Sequence, residues 1–203
     1  MHPNVDTQQR ILDSARELIH SRSYADVGVA DICEHAGVKK GSFYHFFPSK
    51  RDLTLAVLDA YYLEIKTNLV AQAFAEDIPP MERLDRFGEL AYAFQKQVLK
   101  DTGRVLGCPF GNLASEMATQ DEPIRAKVEQ IFSNLQGGIR QVLREAIAAG
   151  EVQNIDVEAT AQAMLAYFEG VMLLAKSKND VEIMGQLFPA MAQIRISPRD
   201  VSR

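Results

Sequence analysis

Apolar residues recur at three- and four-residue intervals from one end of this chain to the other, and nowhere alternate with polar ones for a useful length. Such spacing lays one apolar stripe along each of a series of helices, so the expected fold class is all-α. Ile11, Leu12, Ala15, Leu18 and Ile19 form the stripe of a first helix, with Asp6 or Thr7 as its cap and Ser21 to Asp26 as its exit. A second helix is expected from about Val29 to Ala36, closed by Gly37. A third runs from near Lys39 to Phe47, because Pro48 bars helical geometry at the residue before it. Ser49 opens a long fourth helix that reaches about Phe74, and Ser49-Lys50-Arg51-Asp52 resembles a capping box.

Five more helices complete an expected set of about nine. The fifth carries Leu84, Phe87, Leu90, Ala91, Phe94 and Val98 and breaks at Asp101-Thr102-Gly103. The sixth begins at Pro109, and the seventh spans Pro123 to Gly150. The eighth, capped by Asp156, is apolar on nearly every face between Ala159 and Ala175 and must be buried on two sides. One side meets its own subunit; a second copy of the chain is the simplest cover for the other. A ninth helix, Val181 to about Ile194 with Pro189 inside it, offers Met184, Leu187, Phe188 and Met191 to the same seam. A homodimer through residues 157–176 and 181–195 is therefore expected, with a frayed tail from Ser197.

A length of 203 residues suits one DNA-reading module plus one regulatory domain, or one larger all-helical domain. The net charge of -5 does not announce a nucleic-acid binder, but only one surface has to meet phosphates. Met1 to Asp6 is polar and shows no secretory pattern, and the most apolar stretch is too short to cross a bilayer. Two cysteines, Cys33 and Cys108, build no disulfide framework and lack metal-site spacing. A cytoplasmic protein without membrane, metal or cofactor is expected.

The segment from Val29 to Lys50 carries the chemistry. Two short helices joined at Gly37 make a helix-turn-helix, whose second helix can enter the major groove. Between Lys39 and Arg51 stand four cations (Lys39, Lys40, Lys50, Arg51) and no acid, in an otherwise acidic chain. Cations supply salt-dependent attraction to phosphates. Gly41 and Ser42 let the backbone approach the duplex, and Tyr44 and His45 can donate to phosphate oxygens. Ser49 and Lys50 put backbone N–H groups, a positive dipole end and an ammonium where a phosphate can sit.

The run Ala36-Gly37-Val38-Lys39-Lys40-Gly41-Ser42-Phe43-Tyr44-His45-Phe46-Phe47-Pro48-Ser49-Lys50 resembles the DNA-binding signature of the tetracycline-repressor (TetR/AcrR) family. Ile11-Leu12, Ala15, Leu18 and Asp31-Ile32 fall where that family has its core pattern. The resemblance implies a helix-turn-helix domain over 1–48 and a ligand-binding and dimerisation domain over 49–203, with 49–75 as the connecting helix. By the same resemblance, Lys39, Lys40 and Ser42 approach bases or nearby phosphates, and Tyr44, His45 and Lys50 clamp the backbone. Phe43, Phe46 and Phe47 are assigned to the core. Gly28 departs from the pattern, since the family often has Thr or Ser there as a cap and phosphate contact.

The resemblance also implies a small-molecule effector held between the fifth to eighth helices, with Phe94, Phe110, Met117, Phe132, Tyr167 and Met172 as candidate lining. Glu169, the lone acid of the eighth helix, needs some partner if buried; Gln95 and Gln136 are further polar candidates. Gly107-Cys108-Pro109 is similar to a Gly-Cys-Pro-like motif in one branch of the family, in which some members sense electrophiles or oxidants. Cys108 at the start of the sixth helix is the candidate sensor, against the plainer role of a small packed residue. The expected function is a ligand-released repressor of a near-palindromic operator. The alternatives are a redox or electrophile switch through Cys108, or activation in place of repression. An enzyme is not expected: Cys108 as nucleophile needs a base, and His2, His20, His35 and His45 all lie in the N-terminal segment.

Overall fold

The computed structural model describes residues 3–198; Met1, His2 and 199–203, including most of the expected frayed tail, lie outside it. Among the described residues there are nine helices and no strands. They are α1 (Pro3–Ser21), α2 (Val29–Ala36), α3 (Lys40–Phe46), α4 (Lys50–Ile65), α5 (Pro80–Thr102), α6 (Pro109–Met117), α7 (Glu122–Ala148), α8 (Val157–Lys178) and α9 (Glu182–Met191). Beyond Ile65, α4 continues through a wider π-type turn, Lys66–Val70, and a last turn, Ala71–Ala73.

The ends of these helices follow their capping chemistry, with three departures from the sequence expectation. α1 starts ahead of its expected cap, so Asp6 sits inside the first turn, where its charge faces the positive dipole end. α7 starts one residue before Pro123, because the Asp121 carboxylate accepts the Ile124 N–H at 3.1 Å. α9 ends at Met191, two residues after Pro189. Asp156 caps α8 as expected, accepting from the Ala159 N–H at 3.0 Å. At α4, Ser49 Oγ accepts the Asp52 N–H at 3.1 Å and donates to the Asp52 carboxylate at 2.6 Å. The shorter Asp side chain thus meets the cap hydroxyl and not its backbone N–H, so only half of a capping box forms.

The chain divides into two compact units. The first joins the described residues up to Leu63 with Pro109–Gln130, and so contains α1 to α3, most of α4, α6 and the start of α7. Ile11, Ile32, Phe43, Leu53, Leu58, Phe110 and Ile124 are fully buried there. The Tyr61 ring stands edge-on to Phe110 at 6.5 Å and to His20 at 5.5 Å. The second unit comprises Glu64–Cys108 and the described residues from Ile131 onward. Its centre holds Phe168 stacked on Phe188 at 4.8 Å and tilted against Phe87 at 5.2 Å. Burying one such ring contributes about 1.5–3 kcal/mol. Gly88 permits this closure, since a Cβ there would stand 3.0 Å from the Phe188 Cβ.

Gly37, which turns α2 toward α3, has φ +63°, and its N–H closes on the carbonyls of Cys33 and Glu34. A Cβ there would come within 2.9 Å of Arg10 Nη2, which itself donates to the Ala36 carbonyl. Gly37→Ala is expected to destabilise the first unit by about 1–2 kcal/mol. Urea unfolding should show this as a lower midpoint at unchanged slope; an unchanged midpoint would contradict the assigned backbone strain.

Candidate functional site

The helix-turn-helix turns its apolar side inward and its polar side out. In and beside α3, Phe43 and Phe47 are buried, while Lys39, Lys40, Gly41, Tyr44 and His45 are exposed and Ser42 is half-exposed. Phe46, assigned to the core from sequence, is only partly buried, with its ring edge-on to His45 at 4.8 Å. Tyr44 keeps 53% of its surface exposed although its ring abuts Phe43. A Cβ built at Gly41 meets nothing within 4 Å, so packing within the chain does not demand glycine there. At Gly28 the missing side-chain cap is replaced from the other direction: the Asp31 carboxylate accepts the Gly28 N–H at 2.7 Å.

Lys50 is more engaged than its sequence position suggested. Its ammonium donates to the carbonyls of Tyr24 at 2.8 Å and Val27 at 3.0 Å, and lies 3.9 Å from the centre of the Tyr24 ring. An ammonium has three donors, so two of them hold the α1–α2 loop. Burial pushes the Lys50 ammonium below its usual pKa, an effect opposed by Glu116.

Glu116, near the end of α6, holds the same loop from the other side. Its carboxylate accepts the N–H groups of Tyr24 at 2.9 Å and Ala25 at 2.6 Å. Two further pairs join α4 to α7: Arg51 with Asp121 at 2.6 Å and Lys127 with Asp59 at 2.9 Å. Sequence reasoning missed Glu116, Tyr24 and Asp121. No spacing pattern links Glu116 to a loop some ninety residues earlier, and only the fold brings them together.

The residues expected to line an effector site fall into different places. Phe110 and Met117 are buried in the first unit, whereas Phe94, Cys108, Phe132, Tyr167, Glu169 and Met172 belong to the second. Phe94 is 44% exposed on α5. Met172 is buried, Phe132 and Gln136 are half-buried, and Tyr167 donates its hydroxyl to the Leu187 carbonyl at 2.9 Å. Two of the candidates do meet: the Cys108 side chain hydrogen-bonds the Glu169 carboxyl. Burial raises the Glu169 pKa from the ordinary 4.5 to about 7, with the Cys108 hydrogen bond opposing it. Gln95, 2% exposed, donates from Nε2 to the Gly107 carbonyl at 3.2 Å, beside Cys108. Cys33 is buried in α2, where packing accounts for it.

A compact helix-turn-helix with an exposed, cation-bearing second helix, joined to a helical second unit, defines a DNA-binding regulator of the kind that ends in a helical regulatory domain. Comparison with known proteins agrees. Residues 11–57 match the family model for bacterial regulatory proteins of the tetR family, and residues 80–191 match the tetracyclin repressor-like C-terminal domain. The chain is 34% identical to the transcriptional regulator AcuR of Cereibacter sphaeroides, over 83% of this chain and 75% of that protein. It is 23% identical to the HTH-type transcriptional repressor NemR of Escherichia coli (strain K12), over 97% of this chain and 98% of NemR. Its structure is similar to the crystal structure of regulatory protein TetR from Rhodobacter sphaeroides, with a TM-score of 0.81 and 30% identity over 93% of this chain and 98% of that one. The chain belongs to the TetR family of bacterial helix-turn-helix transcriptional regulators, whose members are regulators and not enzymes. None of its described helices is long and apolar enough to cross a membrane.

Two outcomes follow from these contacts. Glu116→Ala removes the acceptor for two N–H groups and is expected to cost about 2 kcal/mol. Hydrogen exchange at the Tyr24 and Ala25 amides should accelerate; unchanged protection there would contradict the clasp. For Glu169, the folded chain holds a proton between pH 4.5 and about 7 that the unfolded chain has released. Stability is therefore expected to fall as pH rises through that window, by on the order of 3 kcal/mol, and to level off above it. Glu169→Gln should flatten this contribution, measured as denaturant midpoints between pH 4.5 and 8.

Proposed function

We propose that the protein is a homodimeric repressor that releases a near-palindromic operator when a small molecule binds its C-terminal domain. The observation that carries the DNA half is the α3 surface: Lys39, Lys40, Gly41, Ser42, Tyr44 and His45 are wholly or partly exposed together, while Phe43 and Phe47 anchor the helix beneath them. Lys39 and Lys40 act as cations toward phosphates and base edges, and Gly41 lets the backbone approach closely because nothing in the protein fills the space beside it. Tyr44 and His45 donate to the phosphate backbone, and so do the first turn of α4 at Ser49 and the third donor of Lys50. Residues 1–48 serve as reader and 49–203 as effector and dimer module, with 49–75 as the connection, in a cytoplasmic protein.

The dimer reading is supported by α8. Its inner face (Ala161, Met164, Phe168, Val171, Met172, Ala175) is buried, yet Leu173 and Leu174 are 64% and 48% exposed. A second copy of residues 157–176 and 181–195 covers them and sets two recognition helices about 34–36 Å apart. Effector binding weakens DNA affinity by favouring a different spacing or tilt of those helices.

A noncovalent effector is preferred to a switch through Cys108. The thiol is buried and its partner is an acid, whereas reactive cysteines sit in accessible, electropositive surroundings. The relationship to repressors favours repression over activation.

The test is operator affinity as a function of salt. Lys39→Ala and Lys40→Ala are each expected to lower affinity and to reduce the slope of log K against log salt by about 1. Lys50→Ala should also lower thermal stability, because it releases the Tyr24 and Val27 carbonyls. Unchanged salt slopes in both α3 variants would remove them from the interface.

A further inference from the structure

The second unit contains a buried polar cluster that its own side chains do not complete. Gln95 lies on α5, Gly107 and Cys108 on the segment that leads out of the unit, and Glu169 on the otherwise apolar α8. Gln95 Nε2 is satisfied by the Gly107 carbonyl at 3.2 Å, but Gln95 Oε1 is buried without a hydrogen-bond partner. One residue along the chain, the Cys108 side chain hydrogen-bonds the Glu169 carboxyl. A buried amide oxygen that has given up water and gained nothing in return is costly, and native interiors seldom keep one without a use.

The chemistry of the cluster selects what would complete it. Gln95 Oε1 accepts only, whereas the Glu169 carboxyl accepts when ionised and can also donate when protonated. The α8 residues buried around this part of the helix, Phe168, Val171 and Met172, offer no N–H or O–H donor from their side chains. At Gln95 Oε1 a visiting carboxylate or phosphate would meet only an acceptor, whereas an alcohol, phenol or amine would supply the donor it lacks. We propose that Gln95 and Glu169 form the head-group subsite for the effector, which is a small amphiphilic molecule carrying an O–H or N–H donor. Gln95 Oε1 and the Glu169 carboxyl accept from that donor, and the Gly107–Cys108 segment holds both acceptors in place. This rests on the proposed function only in taking the second unit as the effector module.

Four probes of similar shape isolate the head group: benzyl alcohol, benzylamine, toluene and benzoate. Each is titrated into the full-length protein while the Gln95 side-chain amide and Glu169 carboxyl resonances are followed by NMR. Benzyl alcohol and benzylamine are expected to shift both resonances saturably, at least about tenfold more tightly than toluene or benzoate. Gln95→Met should abolish that preference; because it also takes the Nε2 donor from the Gly107 carbonyl, some loss of melting temperature accompanies it. Glu169→Gln should weaken benzylamine about tenfold and leave benzyl alcohol nearly unchanged. Equal binding of all four probes, no probe moving these resonances, or a preference intact in Gln95→Met would each overturn the subsite. A lower melting temperature in Gln95→Met with binding unchanged would make Gln95 a structural residue and overturn it too. Operator binding is measured on the same probe-free samples. Its absence in the wild type would count against the repressor and leave the probe result to decide the subsite.

Discussion

The loop between α1 and α2 has backbone groups that its own side chains do not fully satisfy, and the entry into α2 depends on what satisfies them. Glu116 takes the N–H groups of Tyr24 and Ala25, while Lys50 takes the carbonyls of Tyr24 and Val27. Both partners are charged, so each hydrogen bond is stronger than a neutral one. The loop is thus held by the start of α4 and the end of α6 at once. Because α2 follows directly from this loop, a displacement of α6 reaches the helix-turn-helix through hydrogen bonds as well as through apolar packing. Arg51–Asp121 and Lys127–Asp59 tie α4 to α7 in the same unit. By packing, α6 and the first turns of α7 join α1 to α3 and most of α4 in the first unit.

This arrangement gives the mechanism a physical form. A ligand can shift an equilibrium only by its differential affinity for two states. In the proposed subsite, the half-buried acid Glu169 and the orphan acceptor of Gln95 are the groups whose energy a donor would change. Both connect through Gly107 and Cys108 to the residue immediately before α6. The helix that begins at Pro109 ends at Met117, next to the carboxylate that clasps the α1–α2 loop. Along the sequence, Gly107 and Cys108 thus lead directly into the helix whose Glu116 clasps the α1–α2 loop.

Much of the fold was legible because it rests on local rules. The three- and four-residue spacing of Ile11, Ala15 and Leu18, the stop at Pro48, the Asp156 cap and the Gly37 turn each act within a few residues of chain. The end of α9 and the start of α1 were displaced because helix ends are set by small differences in capping. The exposed polar side of α3 was legible for the same reason: cations, small residues and donors lie in one continuous run. The surroundings of the residues expected to line an effector site were not. Phe94 has the right spacing for a core stripe yet stands largely exposed, and Phe110 belongs to the first unit. Glu116 reads as an ordinary helix acid until the fold brings it to Tyr24. Spacing reports which face of a helix is apolar, and says little about which distant element meets it.

The most direct test of the central claim is selection of DNA sites from a random pool by the purified protein, followed by footprinting of the enriched sequence. A near-palindromic site is expected, with two protected major-groove half-sites about one helical turn, 34–36 Å, apart or a multiple of it. Enrichment of no sequence, or of a single half-site bound by one protomer, would contradict a two-fold operator-binding repressor.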